Sequence, residues 1–271
     1  MNDDIRNAGV WEEIKTKRNF MKCPDFSTGM VESDQEKKLT QPPLCIEKKG
    51  EAIELSINLE DAICKTSYME LLDKRRSERV YDENAVMSQS QLAFILWSSQ
   101  GIQEIRGKNY ATFRPVASGG ARHAFETYFI VRNVDGLKPG LYRYLPLEHV
   151  GEKHVSVEFV KEIENHDECI SDMLVGQKFA AFASVVIFLS CVAYRAEWRY
   201  SHMAHRVALI DLGHVGQNWM LSATAMELGS CCFAAFDQKV CDDVLELDGF
   251  EEYTVYACSV GKIKRRNIDI E

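Results

Sequence analysis

The chain has 271 residues, of which 46% are hydrophobic and 27% charged, an ordinary balance for a globular protein with material for a sizeable core. Its formal charge of −9 counts against a nucleic-acid or anionic-membrane surface as the main partner. Nine cysteines, an odd count with no C-x-x-C pair, exclude zinc-type spacing and a disulfide framework, and they match reduced thiols in a cytoplasm.

Residues 1–50 are polar and weakly periodic, with Gln41-Pro42-Pro43-Leu44 as an extended turn. No apolar run follows the Met-Asn-Asp-Asp start, so a signal peptide is not expected. Residues 1–70 read as an arm with a first strand and helix, and residues 71–271 as the main domain. Residues 54–59 alternate with period two and predict a strand. Over 61–72, Ile63, Met69 and Leu72 mark one helical face. Ser88 and Gln91 form a capping box ahead of the stripe Leu92, Ile95, Leu96 and Ser99, and Gly101 predicts a left-handed stop.

Strands are expected over 127–131, 141–144, 155–160 and 184–189, with a turn at Gly136 and Pro139-Gly140. The near-apolar run 179–194 is shorter than the ~20 residues that span a bilayer. It reads as a helix end feeding a buried strand. Residues 205–228 predict the longest helix, with Leu209, Leu212, Val215, Trp219 and Met226 largely on one side and Gly229 ending it. A last strand is expected over 253–260, followed by the basic residues Lys262, Lys264, Arg265 and Arg266. Strands and helices mix without strict βαβ repetition, which predicts an α+β sandwich.

Four segments carry possible chemistry. Arg75-Arg76-Ser77-Glu78-Arg79 sets three guanidinium forks beside a hydroxyl in an acidic chain, the pattern of a small phosphorylated ligand; a solvated charge run is the alternative. Ala117-Ser118-Gly119-Gly120-Ala121-Arg122-His123 allows close approach of backbone to a flat ligand, or an ordinary turn. Gly213 and Gly216 cost the helix about 1 kcal/mol each, repaid by close packing of a helix, a second copy or a cofactor. Leu228-Gly229-Ser230-Cys231-Cys232-Phe233-Ala234-Ala235 leaves backbone amides accessible, and its vicinal cysteines raise a redox alternative. G-x-G-x-x-G, the P-loop, the G-x-S-x-G elbow and H-E-x-x-H are all missing.

In order, these segments resemble the flavin-dependent nitroreductase superfamily, and within it the SagB/ThcOx-type dehydrogenase branch. The matches are Arg75-Arg76-Ser77-Glu78-Arg79 to R-R-S-x-R, residues 117–123 to P-S-[AG]-G-x-x-[YH], and Pro139-Gly140-Leu141-Tyr142-Arg143-Tyr144 to P-G-L-Y-x-Y. Trp198-Arg199-Tyr200 through Arg206 and residues 211–218 match W-K-Y…R…D-x-G-H-x-x-Q-N, and Leu228-Gly229 and Val260-Gly261 close the series. The resemblance covers about residues 70–262.

It implies a three-layer sandwich with a central, mainly antiparallel sheet flanked by helices, in an intertwined homodimer with FMN at the subunit interface. By that resemblance Arg75, Arg76, Ser77 and Arg79 hold the phosphate and the pyrimidine edge. Ser118, Gly119 and Gly120 come from the other subunit, and amides near Ala234 and Ala235 face flavin N5. Gln217 and Gly229 line the cofactor, and Arg265 or Arg266 completes the phosphate site. Tyr200 and Arg199 stand where the branch has its catalytic tyrosine and lysine. Arginine cannot lose its proton, so azoline oxidation is in question. Ala117, where proline is usual, is a second departure. The implied activity is two-electron exchange between FMN and a small organic or peptide-derived substrate. The alternatives are an NAD(P)H-dependent nitro or quinone reductase, or a non-catalytic flavin-binding scaffold.

Overall fold

The computed structural model describes residues 8–22, 31–58 and 66–264. Strand β1 (Ala52–Leu55) comes from the arm. It pairs antiparallel with β6 (Val155–Lys161) and begins and ends earlier than its alternation predicts. A small hairpin, β2 (Glu104–Arg106) and β3 (Ala111–Phe113), stands apart. The remaining strands are β4 (Phe125–Val131), β5 (Gly140–Tyr144), β7 (Val185–Val192), β8 (Leu228–Phe233) and β9 (Glu252–Lys262). They complete a seven-stranded sheet in the order β1-β6-β5-β4-β7-β9-β8. Every neighbouring pair in it is antiparallel.

Successive strand residues face opposite sides, and this builds three layers. Phe129, Val131, Val185, Ile187 and Leu189 pack against α3 (Gln89–Gln100) and α6 (Ala204–Ala225). On the other face Tyr128, Ile130, Val186 and Phe188 meet Ile170 and Met173 of α4 (His166–Met173) and Cys241 and Leu245 of α7 (Gln238–Leu245). Trp219 of α6 is fully buried, and its indole N–H donates to Ser99 Oγ at 3.0 Å. The α+β sandwich with a central antiparallel sheet is therefore the observed fold.

Several boundaries differ from the sequence expectation. Helix α1 (Ala8–Phe20) forms in the arm, where no helix is predicted. The helix expected over 61–72 is seen as α2 (Tyr68–Lys74); residues 59–65, Ile63 among them, lie outside the described residues. The Ser88/Gln91 capping box is present, but Gly101 has φ −60° rather than a left-handed value. Glycine is needed there because a Cβ would lie 2.5 Å from Trp97 Cδ1. Residues 178–182 form a short 3-10 turn rather than a helix end. Helix α6 stops at Ala225, Glu227 takes the reversal at φ 56°, and Gly229 sits in β8. Leu209 is 52% exposed, off the buried stripe of Leu212, Val215, Trp219 and Met226.

The arm is clamped to the body by two buried ion pairs, Arg195–Glu126 at 2.6 Å and Arg143–Glu158 at 2.5 Å, with all four side chains 2–4% exposed. Each pair also binds arm backbone. Glu126 accepts from Ile46 N–H, Glu158 from Lys49 and Gly50 N–H, Arg143 donates to Glu47 O, and Arg195 to Pro43 O. Upstream, residues 34–39 dock on α5 (Ala193–Tyr200). Gln35 N–H donates to Trp198 O, Trp198 Nε1 to Leu39 O, and Tyr194 Oη to Asp34 Oδ2.

Candidate active site

The arginine cluster begins where α2 ends. Ser67 and Glu70 cap that helix reciprocally, and at Arg75 the backbone leaves the helical region (φ −54°, ψ 123°). The chain then runs along the open edge of the sheet. Ser77 bridges Ser230 in parallel, Glu78 N–H donates to Ser230 O at 2.9 Å, and Tyr81 bridges Ile263. Gly229 makes this approach possible, because a Cβ there would lie 2.3 Å from Ile263 Cγ2 and 2.8 Å from Glu78 Cβ.

Among the described residues the guanidiniums have few partners, the Cys231 thiol beside Arg79 being one. Arg75 reaches Met220 Sδ at 4.0 Å, Arg76 folds back on Arg75 O at 2.7 Å, and Arg79 lies 3.4 Å from Ser77 O. None of the three forms an ion pair among the described residues. In a chain with 41 acidic side chains, three clustered cations with no ion-pair partner among the described residues are a candidate site for an anion. Arg265 and Arg266 lie outside the described residues.

The second cluster is built on the other end of α6. Asp211 accepts from Ser118 Oγ at 2.7 Å and from Gly119 N–H at 3.0 Å. Burial pushes its carboxyl above the usual range, against the pull of those bonds. Ser118 Oγ also accepts from His123 N–H. Burial, reinforced by the Arg114 guanidinium, pushes the His123 imidazole down to about 2, so it is neutral at physiological pH. Gly120 has φ 56°, and a Cβ on it would lie 2.5 Å from Arg199 Nε and 2.7 Å from Tyr200 Oη. Ser118, Gly119, Gly120, Arg199 and Tyr200 therefore form one cluster.

Along α6, Met220 lies nine positions beyond Asp211, which is about 13 Å at 1.5 Å per residue. The glycine cluster and the arginine cluster thus stand at separate places on one chain. Gln217 is exposed between them, and Ala234 and Ala235 are exposed just beyond the far end of β8. Cys231 and Cys232 point to opposite faces of β8. Cys231 packs with the α7 layer, and Cys232 faces Gly216 O at 3.9 Å. That geometry removes the vicinal-redox alternative.

Sequence reasoning missed Tyr110. Arg199 does not spend its hydrogen bond on Tyr200; it donates from Nη1 to Tyr110 Oη at 2.7 Å. Gln35 Nε2 donates to the same oxygen at 2.8 Å, and the Arg122 guanidinium carbon lies 4.8 Å from the ring centroid. Partial burial opposes ionisation of this phenol. The Gln35 bond and the Arg199 and Arg122 charges outweigh it and hold the group below the ordinary tyrosine range. No motif marks Tyr110, because its partners come from an arm and a helix distant in sequence.

With this geometry in hand, the chain belongs to the nitroreductase family, whose pattern matches residues 72–262. It is an oxidoreductase of that family. It is 30% identical over 193 residues to MJ1384 of Methanocaldococcus jannaschii, named as a nitroreductase, covering 71% of this chain and 89% of that protein. It is 28% identical over 146 residues to the trifolitoxin-processing protein TfxB of Rhizobium leguminosarum bv. trifolii, covering 53% of this chain and only 38% of TfxB. Its fold matches a chain of the Escherichia coli microcin synthetase McbBCD complex with truncated pro-MccB17 bound, at TM-score 0.57 and 16% identity, covering 98% of this chain and 95% of the other. No helix among the described residues is long and apolar enough to cross a membrane.

Proposed function

We propose that the protein is an FMN-dependent oxidoreductase of the SagB/ThcOx-type dehydrogenase branch. It exchanges two electrons with a small organic or peptide-derived substrate and works in the cytoplasm as a homodimer. The observation that carries this reading is the cluster Arg75, Arg76 and Arg79, without carboxylate partners among the described residues, beside the Ser77–Ser230 bridge. The cluster fits a phosphate dianion, and Ser77 adds a hydroxyl. Ala234 and Ala235, both exposed just past β8, fit the edge of a flat ring, and Gly119 and Gly120 fit its close approach. FMN, when bound, supplies hydride chemistry; the chain's task is to hold and tune it.

The separation of the two clusters supports a second copy that brings its own Ser118, Gly119 and Gly120 to the arginines. So does the outer face of α6, where Leu209 and Ile210 are 52% and 50% exposed and a Cβ on Gly213 would meet nothing within 4 Å. Gln217 lies on this same helix, and Gly229 acts by letting the arginine-bearing segment close on β8. Arg265 or Arg266 completes the phosphate site in this reading. The 71–271 span is then the flavin domain, and residues 1–70 form an arm laid over it.

A peptide-derived substrate is supported by the relatives' names, one a toxin-processing protein and the other a synthetase holding a peptide. Arg199 favours a second reading, an NAD(P)H-dependent nitro or quinone reductase, because the lysine base of the dehydrogenase branch is replaced by a group that stays protonated. The test is the visible spectrum of the purified protein, before and after NADH, with a nitroaromatic or quinone acceptor. A yellow protein bleached by NADH supports the reductase reading. A yellow protein bleached only by a chemical reductant supports the dehydrogenase. A colourless protein that cannot be loaded with FMN refutes both.

A further inference from the structure

We propose that Tyr110, its hydroxyl fixed between Gln35 and Arg199, is the residue of this chain that passes a proton to and from the substrate. The inference rests on the flavin reading above and deepens it. The hydroxyl oxygen accepts one hydrogen bond from Gln35 and one from Arg199, while its own proton has no acceptor among the described residues. A phenol with two donors aimed at its oxygen is preorganised for the charge that appears when the proton leaves. The residue is 39% exposed, so the proton has a path to a ligand or to water.

The backbone around it is fixed. Gly107 and Asn109 hold positive φ in the hairpin turn, and Tyr110 N–H donates to Arg106 O at 2.9 Å. Tyr110 O accepts from Arg122, whose Nε donates to Gly120 O at 3.0 Å. Gln41 Nε2 donates to Asn109 O at 2.9 Å, so the arm grips the turn as well as the hydroxyl. The charged groups facing the phenol are Arg199 from α5 and Arg122 from beyond the glycine turn. The arm contributes only the neutral Gln35 and Gln41. Arg106, on the phenol's own hairpin, lies over Phe113, and Tyr200 is the other titratable group in the cluster.

The chemistry balances with a quinone as probe. FMN, held at the arginine cluster, would supply the hydride, and the proton that completes the hydroquinone passes from Tyr110 Oη to the quinone oxygen. The phenolate left behind is held by Arg199 and regains its proton from water. For a substrate oxidised by the flavin the order reverses, and the phenolate accepts the proton from a substrate N–H or O–H. Arg199 then has a role that its permanent charge permits, as the positioning residue for a tyrosine rather than as a base.

Two measurements test this. First, the protein without flavin is titrated from neutral to strongly alkaline pH while ultraviolet tyrosinate absorbance is followed. One of the ten tyrosines is expected to ionise ahead of the rest. Tyr110→Phe should remove that early step, and Gln35→Ala should move it to higher pH. An unchanged titration in Tyr110→Phe overturns the proposal. Second, the FMN-loaded protein is assayed with NADH and a quinone. Tyr110→Phe should lower turnover by about 10²- to 10⁴-fold, flatten the alkaline limb of the pH profile and leave FMN affinity unchanged. A variant that binds FMN and keeps the wild-type rate and profile overturns this role alone. Failure of the wild-type protein to take up FMN overturns the flavin reading and this role with it.

Discussion

Replacing both Arg75 and Arg79 by alanine tests the anion site at its strongest point. A charge-assisted hydrogen bond contributes about 1.5–3 kcal/mol, so losing two should weaken FMN binding by about 3–6 kcal/mol. That corresponds to roughly a hundredfold to ten-thousandfold rise in Kd. The fold should not suffer. Among the described residues Arg75 reaches Met220 Sδ at 4.0 Å, and Arg79 reaches Ser77 O at 3.4 Å and the Cys231 thiol, so the melting transition should move by little more than a surface substitution allows, about 0.5 kcal/mol. Titration by quenching of FMN fluorescence measures the affinity, and circular dichroism checks the fold. Because the second phosphate ionisation falls near pH ~6, wild-type affinity should drop on acidification below that point, and the double variant should lose most of this dependence. A variant that holds FMN as tightly as the wild type would refute the assignment of the cluster.

Gly229→Ala should cost about 1–3 kcal/mol through overpacking against Ile263 and Glu78 and should weaken FMN binding by displacing the Ser77 segment; a normal melting temperature with normal affinity contradicts this. Gly213→Trp meets open space within one chain, so it should leave the fold intact and shift sedimentation toward monomer. A variant that stays dimeric removes the α6 face from the interface. Glu158→Gln should destabilise by about 3–5 kcal/mol, because it leaves Arg143 buried without its charge partner. Burial alone would raise the Glu158 carboxyl, but the Gly50 and Lys49 amides and Arg143 hold it low. Its contribution is therefore complete above the ordinary glutamate value near ~4.3 and lost as pH falls through the lower folded value. Thermal melts from neutral to acid pH should show a smaller acid loss in the variant.

What was readable in the chain were the features that a short window contains. The Ser88–Gln91 capping box, the alternation of 155–160 and the β-branched run of 184–189 all became the elements they predict. Helices α4, α5 and α7 were missed because each has eight residues, too few for a helical period to stand out from noise. Strand β8 was missed because its small residues, Gly229-Ser230-Cys231-Cys232, carry little β-propensity. They are small because the Ser77 segment and α6 press on the two sides of that strand. The site divided in the same way. The arginines of the candidate anion site are written contiguously, whereas Tyr110 acquires its character from Gln35, Arg199 and Arg122, which only folding brings together.

The arm ties these observations to function. Residues 31–50 lie outside the span 72–262 that matches the family, yet they are held by two buried ion pairs, and their glutamine reaches the one phenol that Arg199 holds. Buried ion pairs contribute little net stability compared with apolar packing, because desolvation offsets much of the attraction. What they add is a defined position, since moving the arm would strip these charged groups of the hydrogen bonds they make with the arm backbone at residues 43, 46, 47, 49 and 50. A glutamine amide steers a hydroxyl only while it stays within hydrogen-bond distance and angle of it, and the bonds to the arm backbone hold that position. The electrostatic clamp at Glu126 and Glu158 and the hydrogen bond at Gln35 are therefore one device, with the cost of burying charge at the sheet offset by fixed geometry at the phenol.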